Sequence, residues 1–449
     1  MDQEKFVEKS KSTRSKLIVF GIPKLGTSII MGFADFALAT LYILGYNITP
    51  FLVGIALALG KLTIASSQFF FGWISDAKYT RWGRRKPYLI IMSPILGLSF
   101  MLLLLPSFTI DLNDPNALFI WLLAWYQIFN ICYGVTSPYE SWMAEQFTVE
   151  ERPRASQYQN TLGFIGTSVI SAFSMVVLTS FIVKIQENPA IIPPEFLYSV
   201  IIFGIIPIVL FYLVSFLMPT EHHFKIESNL VQTLQRLLKN KNFLLVTGMQ
   251  GISSIATITI TGIMLMYLVE VLNFNSIDYY VAAAILIFGI LFFLYVWKTF
   301  VQKLGKKRSL SYIFLLAIIV LPLTLLGLIP MDSYFVFGII FILGLAGTLG
   351  GWALFPAIMY ADIAQDDEVK SGELKPGIYA GFPSITLNLF QALGLFIMGL
   401  MLELPAVGNL TYSIGLILWG PICSVIFIIT LLYTRKFITL DFDWEKNKK

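Results

Sequence analysis

GWISDAKYTRWGRRKP, residues 72–87, sets five basic side chains between two apolar runs. The run behind it, from Phe51 to Ile74, is long enough to cross a bilayer, and another begins at Tyr88. Three readings compete: a nucleic-acid patch, a topology signal, and a working part of a machine that moves. Composition narrows them. With 57% hydrophobic and 13% charged residues in 449, and a mean hydropathy of +0.76, the chain has too few charges to cover a water-soluble surface. A helix needs about 20 apolar residues to cross roughly 30 Å of hydrocarbon. Twelve stretches qualify: 17–45, 51–75, 88–107, 118–145, 157–184, 195–218, 243–272, 278–300, 309–330, 333–361, 379–403 and 410–434. The reading is an all-α polytopic membrane protein.

Orientation follows from Lys and Arg. With both termini cytoplasmic, 28 of the 31 basic residues fall in the tails and inward loops or at their edges, leaving Lys24, Lys61 and Lys184. The opposite topology would invert the positive-inside rule. The opening stretch is therefore expected on the cytoplasmic side of a cell membrane, and the net charge of +4 needs no nucleic acid to explain it. The first apolar segment follows a basic, polar leader and is too long for the core of a cleavable signal, so none is expected.

The longest inward connection, 219–242, divides the spans six and six. This sets out a tail (1–16), a six-helix bundle (17–218), a central loop, a second bundle (243–434) and a tail (435–449). In the loop, Leu230, Leu234, Leu237 and Leu238 share a helical face, which suggests a short linker helix at the membrane surface. His222 and His223 are read as solvated loop residues. Cys132 and Cys423 fall within spans and behave as small hydrophobes; no disulfide framework or metal spacing occurs. The halves also echo each other. Trp73 and Gly83-Arg84-Arg85-Lys86 follow the second span, and Trp297 and Gly305-Lys306-Lys307-Arg308 follow the eighth. Such a parallel repeat is typical of the major facilitator fold.

Gly72-Trp73-Ile74-Ser75-Asp76 resembles the Gly-x-x-x-Asp that opens the loop signature of major facilitators. Thr80-Arg81-Trp82-Gly83-Arg84-Arg85-Lys86-Pro87 looks like its longer form in the glycoside–pentoside–hexuronide:cation symporters, the group of melibiose permease. YADIAQDDEVKSGELKPGIYAGFPSI (360–385), SPYESWMAEQFTVEERPRAS (137–156) and LLKNKNFLLV (237–246) resemble further stretches of that family. The resemblance spans both halves. It implies a monomeric carrier of sugars or glycosides with twelve helices in two six-helix bundles, working by alternating access without an organic cofactor. It also implies a cytoplasmic gate, in which Asp76, Arg81, Arg84 and Arg85 pair with acids such as Glu145, Asp362, Asp366 and Asp367. Each exposed pair is worth only about 0–1 kcal/mol, so a network biases a conformational equilibrium without freezing it.

The departures bear on the coupling ion. Aligned on Gly72-Trp73, the family's two cation-site aspartates on the second span fall at Ile64 and Gln68. Its acidic position on the first span falls near Ser28, its aspartate on the fourth near Thr136 or Ser137, and its lysine on the eleventh at Asn388. A sodium ion needs several hard oxygen ligands, and Ile and Gln remove most of the charge. The sodium site does not carry over, no metal is expected, and a coupling proton takes its place.

Ionisable residues inside spans are functional candidates by default. Asp35 and Lys61 each lie about 15 Å deep on adjacent antiparallel helices, so they are expected to form a buried ion pair. Proton coupling is assigned to Asp35 and Glu140, with Lys61 as charge partner. On the fourth span Asn130, Tyr133, Ser137 and Glu140 share a face, and Pro138 can kink the helix toward its neighbours. On the first, Lys24, Ser28, Asp35 and Tyr42 form a stripe. The second half offers Gln250, Ser254, Thr257 and Thr261, then Ser384, Asn388 and Gln391. Such stripes belong to a wet cavity rather than to lipid. The substrate-facing set is Asp35, Lys61, Gln68, Tyr133, Ser137 and Glu140 with Asn160, Gln250, Trp352, Asn388 and Gln391; Tyr133 or Trp352 can stack on a pyranose face. A lysolipid carrier or a non-transporting sensor on the same scaffold stays open, since fold alone does not separate them. No nucleophile–base constellation or phosphate-binding glycine loop points to an enzyme.

Overall fold

A computed structural model describes residues 13–77, 79–148, 151–188, 192–220, 239–371 and 376–440. The histidines and the linker helix expected at 219–242 fall on 221–238, outside the described residues. Among the described residues, twelve helices are long and apolar enough to span a membrane: α1 (Arg14–Phe36), α2 (Pro50–Asp76), α3 (Lys86–Leu104), α4 (Pro115–Met143), α5 (Arg154–Glu187), α6 (Pro194–Leu217), α7 (Lys241–Glu270), α8 (Ser276–Leu304), α9 (Lys306–Leu328), α10 (Phe335–Tyr360), α11 (Pro383–Leu402) and α12 (Gly415–Phe437).

Local signals fix many of the starts. Asp114, Asn240 and Asn275 cap α4, α7 and α8 with their side chains, Asn275 in a reciprocal box with Asp278. These caps satisfy amides that have no partner within their helix. Where helices end inside the protein, side chains from neighbours take over. The Tyr42 hydroxyl and the Trp121 indole donate to Leu103 O (2.6 Å) and Leu102 O (2.8 Å) at the end of α3. Tyr42 is thereby turned away from the Lys24–Asp35 stripe with which its spacing grouped it.

The first six spans pack together: α1 along α5, α2 along α4, and α3 against α4 and α6. The last six do likewise, with α7 on α12, α8 on α10, and α9 on α10 and α12. The α7 core window is 78% buried against 28% for α8, so α7 lies centrally and α8 faces lipid with Phe288, Phe292 and Tyr295. Between the bundles, α2 runs beside α11, α5 meets α8, and α7 meets α1. Gly54 and Gly399 bring α2 and α11 into backbone contact: a Cβ built on Gly54 would stand 2.7 Å from Gly399 Cα.

The echo between the halves is structural. Gly83 and Gly305 both take left-handed backbone angles, φ 91° and 84°, which glycine adopts without a Cβ penalty. Just beyond Gly83, Arg84 and Arg85 reach Glu145 past the end of α4 at 3.2 and 2.8 Å. Just beyond Gly305, Lys306 reaches Asp362 at 2.7 Å, on the helix that carries α10 onward to Ser371. Lys86 then donates to Met218 O beyond α6 (2.8 Å), and Lys307 to Arg435 O in α12 (3.0 Å). Both lysines meet carbonyls at the negative end of a helix dipole. The tryptophans do not repeat: Trp297 is buried and bonds Gly347 O at 2.8 Å, whereas Trp73 is half exposed.

Candidate functional site

α4 is not one rod. Its helix runs Pro115–Tyr133 and resumes as Thr136–Gln146. Pro138 has no N–H for the carbonyl four residues back, and its ring crowds that carbonyl, so the break falls at Gly134–Val135, one turn before the proline. α2 heals the gap. Ser67 Oγ donates to Asn130 O at 2.9 Å, and Thr136 Oγ1 to Tyr133 O at 2.9 Å. Gly134 leaves room for α2, since a Cβ there would lie 2.8 Å from Ser67 and Phe71. Carbonyls freed in a span are satisfied this way because no water reaches them.

Two ion pairs lie inside the N-terminal bundle. Lys61 Nζ stands 2.7 Å from Asp35 Oδ1, with side chains 3% and 29% exposed. Lys24 Nζ stands 2.7 Å from Glu140 Oε1, at 29% and 53%. Burial of the first pair lets the Coulomb attraction offset desolvation; the second is open to water. Tyr133 lies within electrostatic reach of Lys24, Glu140 and Asp35, linking the pairs. Gly163 on α5 gives the Lys24 stem its space, a Cβ there being 3.1 Å from Lys24 Cγ. Sequence reasoning saw Lys24 only as part of a stripe. Its i-to-i+4 neighbour Ser28 and the glycines at 163 and 166 were the available signal that α1 and α5 press together.

Gln68 joins the bundles. Its Nε2 donates to Thr136 Oγ1 at 3.1 Å and its Oε1 accepts from Ser384 Oγ at 2.8 Å. Asn388 Nδ2 donates to Ser384 O at 2.8 Å. Three positions that the resemblance aligns with charged residues are thus one neutral hydrogen-bonded set, and Ile64 beside them is buried. In the C-terminal bundle the Tyr360 hydroxyl donates to Gln250 Oε1. Ser137 Oγ lies against Gly72 of α2, and Gln391 is half-buried.

Other expectations meet a different structure. Trp352 packs on Phe314, 5.9 Å between ring centres, among core side chains of its own bundle, so its ring is engaged there. Asn160 is exposed and reaches Ser156 of its own helix at 3.4 Å. Arg81 lies over the Trp82 ring at 5.4 Å rather than against an acid. Arg85 pairs with Asp76 (2.5 Å) as well as Glu145, and Asp362 with Lys306. These pairs tie helices within a bundle: Arg84 and Arg85 meet the expected Glu145, while Asp362 meets Lys306 of its own bundle. Asp366 is partly buried; the Asp367 side chain lies outside the described residues. A groove of about 830 Å³ also opens sideways between α2, α4 and α11, walled mainly by apolar side chains such as Leu62, Phe69, Phe70 and Leu389.

The chain belongs to the MFS/sugar transport protein family, whose profile matches residues 19–410. It is a multi-pass membrane transporter and not an enzyme. It is 24% identical to an uncharacterized symporter of Synechocystis sp., over 78% of each chain. It is 28% identical to sodium-dependent lysophosphatidylcholine symporter 1 of Gallus gallus over 38% of this chain and 31% of that one. Its fold matches a D-xylose-proton symporter (TM-score 0.63, 13% identity, 94% of this chain and 96% of that one) and the nucleoside transporter NupG (0.60, 14%, 95% and 98%). At such identities the structures share the architecture.

Proposed function

We propose that the protein is a secondary active carrier that moves a sugar-like solute with a proton by alternating access, the basic loops facing the cytoplasm. The observation that supports this reading is the division of labour between the bundles. Titratable pairs, Asp35–Lys61 and Glu140–Lys24, sit in the N-terminal bundle, while Ser384, Asn388, Gln250 and Tyr360 offer neutral donors and acceptors from the other. Amides and hydroxyls match the oxygens of a sugar, and a carboxylate beside a lysine can exchange a proton as its surroundings change. The neutral set at Gln68, Thr136 and Asn388 supplies none of the charge with which a sodium site offsets its ion.

A second reading is a lysolipid carrier. The sideways groove supports it, because an acyl chain needs an apolar wall beside the polar site. One experiment separates the two. Purified protein in proteoliposomes is given a panel of labelled sugars and labelled lysophosphatidylcholine, with and without a pH gradient, in sodium-free and sodium buffer. Sugar accumulation that follows the pH gradient and persists without sodium is expected. Uptake of the lysolipid alone, or an absolute need for sodium, overturns the proposal.

A further inference from the structure

The short helix Thr136–Gln146 is tied to different neighbours at its start, middle and end. At its first residue Thr136 accepts from Gln68, which bridges to Ser384 of α11. At its middle Glu140 holds Lys24 of α1 at 2.7 Å. At its end Glu145 holds Arg84 and Arg85, and Lys16 donates to Gln146 O at 2.8 Å. Eleven helical residues span only about 16 Å, so one stiff piece carries the water-exposed carboxylate and the acid that organises the basic face. The break at Gly134–Val135 separates this piece from the rest of α4.

We propose that Thr136–Gln146 is a rocker that carries the protonation of Glu140 to the charge network at Glu145, and that Lys24 is the positioning residue that holds the rocker in its deprotonated setting. The proposal rests on the proton-coupled reading above. The proton binds the Glu140 carboxylate and makes it neutral. Lys24 keeps its own proton and turns its N–H groups to water or to a substrate oxygen. The rocker, freed from α1 at its middle, pivots at the break and shifts Glu145 against Arg84 and Arg85.

The neighbours of Glu140 support this assignment. Lys24 faces it from α1, and Tyr133 and Tyr139 from α4. From α5 the neutral Gln159 bonds Tyr139 and Gly163 faces the Lys24 stem, and Ser384 of α11 bonds Gln68. The charges of α2 and α3 near the rocker, Asp76, Arg84 and Arg85, gather at its other end. Asp35 is the lesser candidate, because its lysine is 3% exposed and stands on the unbroken helix Pro50–Ala77. That pair is a brace.

The test needs no transported substrate, so it stays readable whichever solute is carried. Infrared difference spectra between acidic and alkaline buffer report protonated carboxyl groups. Spin labels at positions 154 and 303, both exposed and at the basic-face ends of α5 and α8, report opening of that face. The wild type should show a carboxyl band and a pH-dependent distance. Glu140→Gln should lose the band and hold the acidic distance at every pH, while Asp35→Asn combined with Lys61→Met, which strands no charge, keeps both signals. Lys24→Met should keep the band yet adopt the acidic distance in alkaline buffer. Pro138→Ala, which restores an N–H toward the break, should keep the band and lose the movement. A band that survives Glu140→Gln, a distance in that variant that still follows pH, no pH-dependent signal in the wild type, or a Lys24→Met protein indistinguishable from the wild type would overturn the proposal.

Discussion

Lys61 shows how much a single side chain can decide. Its ammonium lies 2.7 Å from Asp35 and the side chain is 3% exposed. Removing one member of a buried pair strands the other charge at a penalty of about 3–5 kcal/mol. Lys61→Ala should therefore lower the thermal midpoint of the detergent-purified protein by several degrees, and adding Asp35→Asn should recover most of the loss. Equal instability of the single and double variants would show that the packing of the lysine stem matters more than its charge. The pair was legible in the sequence because two ionisable residues at matched depth on antiparallel neighbours have few other places to go. Lys24–Glu140 was not, because it joins α1 to α4, and which non-sequential helices touch is decided by glycine contacts that no periodicity reports. The neighbours of Trp352 and Asn160, Phe314 and Ser156, were hidden for a related reason: residue type suggested the chemistry, while helix rotation chose the neighbour.

At the scale of the element, α2 and α11 form the long contact between bundles, from Gly54 beside Gly399 to Gln68 bonded to Ser384. Phe51 and Phe396 meet at a tilt near the far end, ring centres 6.0 Å apart, and Glu403 accepts from Phe51 N at 3.2 Å. A side chain at 399 would meet Gly54 Cα and Pro50 O, both 3.0 Å from its Cβ. Overpacking of this kind costs about 1–3 kcal/mol. Gly399→Val should thus depopulate the closed α2–α11 arrangement roughly tenfold or more, read as a changed distance between labels at 52 and 404 and as slower transport. Unchanged distances would mean that the helices can separate there without leaving this state. The spans themselves were readable from hydropathy, but the break in α4 shifted from the expected proline to the preceding turn, since the lost hydrogen bond belongs to the carbonyl four residues earlier. The first span also ends sooner than its apolar run, at Phe36, and continues as the short pieces Leu38–Thr40 and Leu41–Gly45.

For the whole molecule, the glycine–basic clasp recurs at Gly83 and Gly305, tying the start of α3 or α9 to acids past α4 or α10 and to carbonyls at the ends of α6 or α12. Each half is braced as a unit, so motion is expected between units rather than within them, the rocker excepted. Both clasps should lie on the cytoplasmic side. Cysteines placed at 82 and 303, both exposed at the basic face, should resist an impermeant thiol reagent added to intact cells and react in inverted vesicles; labelling from outside would reverse the topology. The six-plus-six pattern and the repeated basic loops were visible in composition, because lipid and the membrane potential constrain whole spans and loops. Glu145 stood among the acids expected for Arg84 and Arg85, but the place of Arg81 over Trp82 was not visible, because any inward loop attracts basic residues and many acids compete for them.

The two ion pairs of the N-terminal bundle have an electrical consequence. Each sums to zero, so in the alternating-access cycle proposed above these groups would carry no net charge through the transmembrane field on the empty return. A proton added at Glu140 changes that sum by one. Moving one elementary charge through 100 mV is worth about 2.3 kcal/mol, and for a neutral solute that work falls on the loaded stroke alone. For the proton-coupled carrier proposed above, the membrane voltage would pull the cargo inward without holding back the return of the empty carrier.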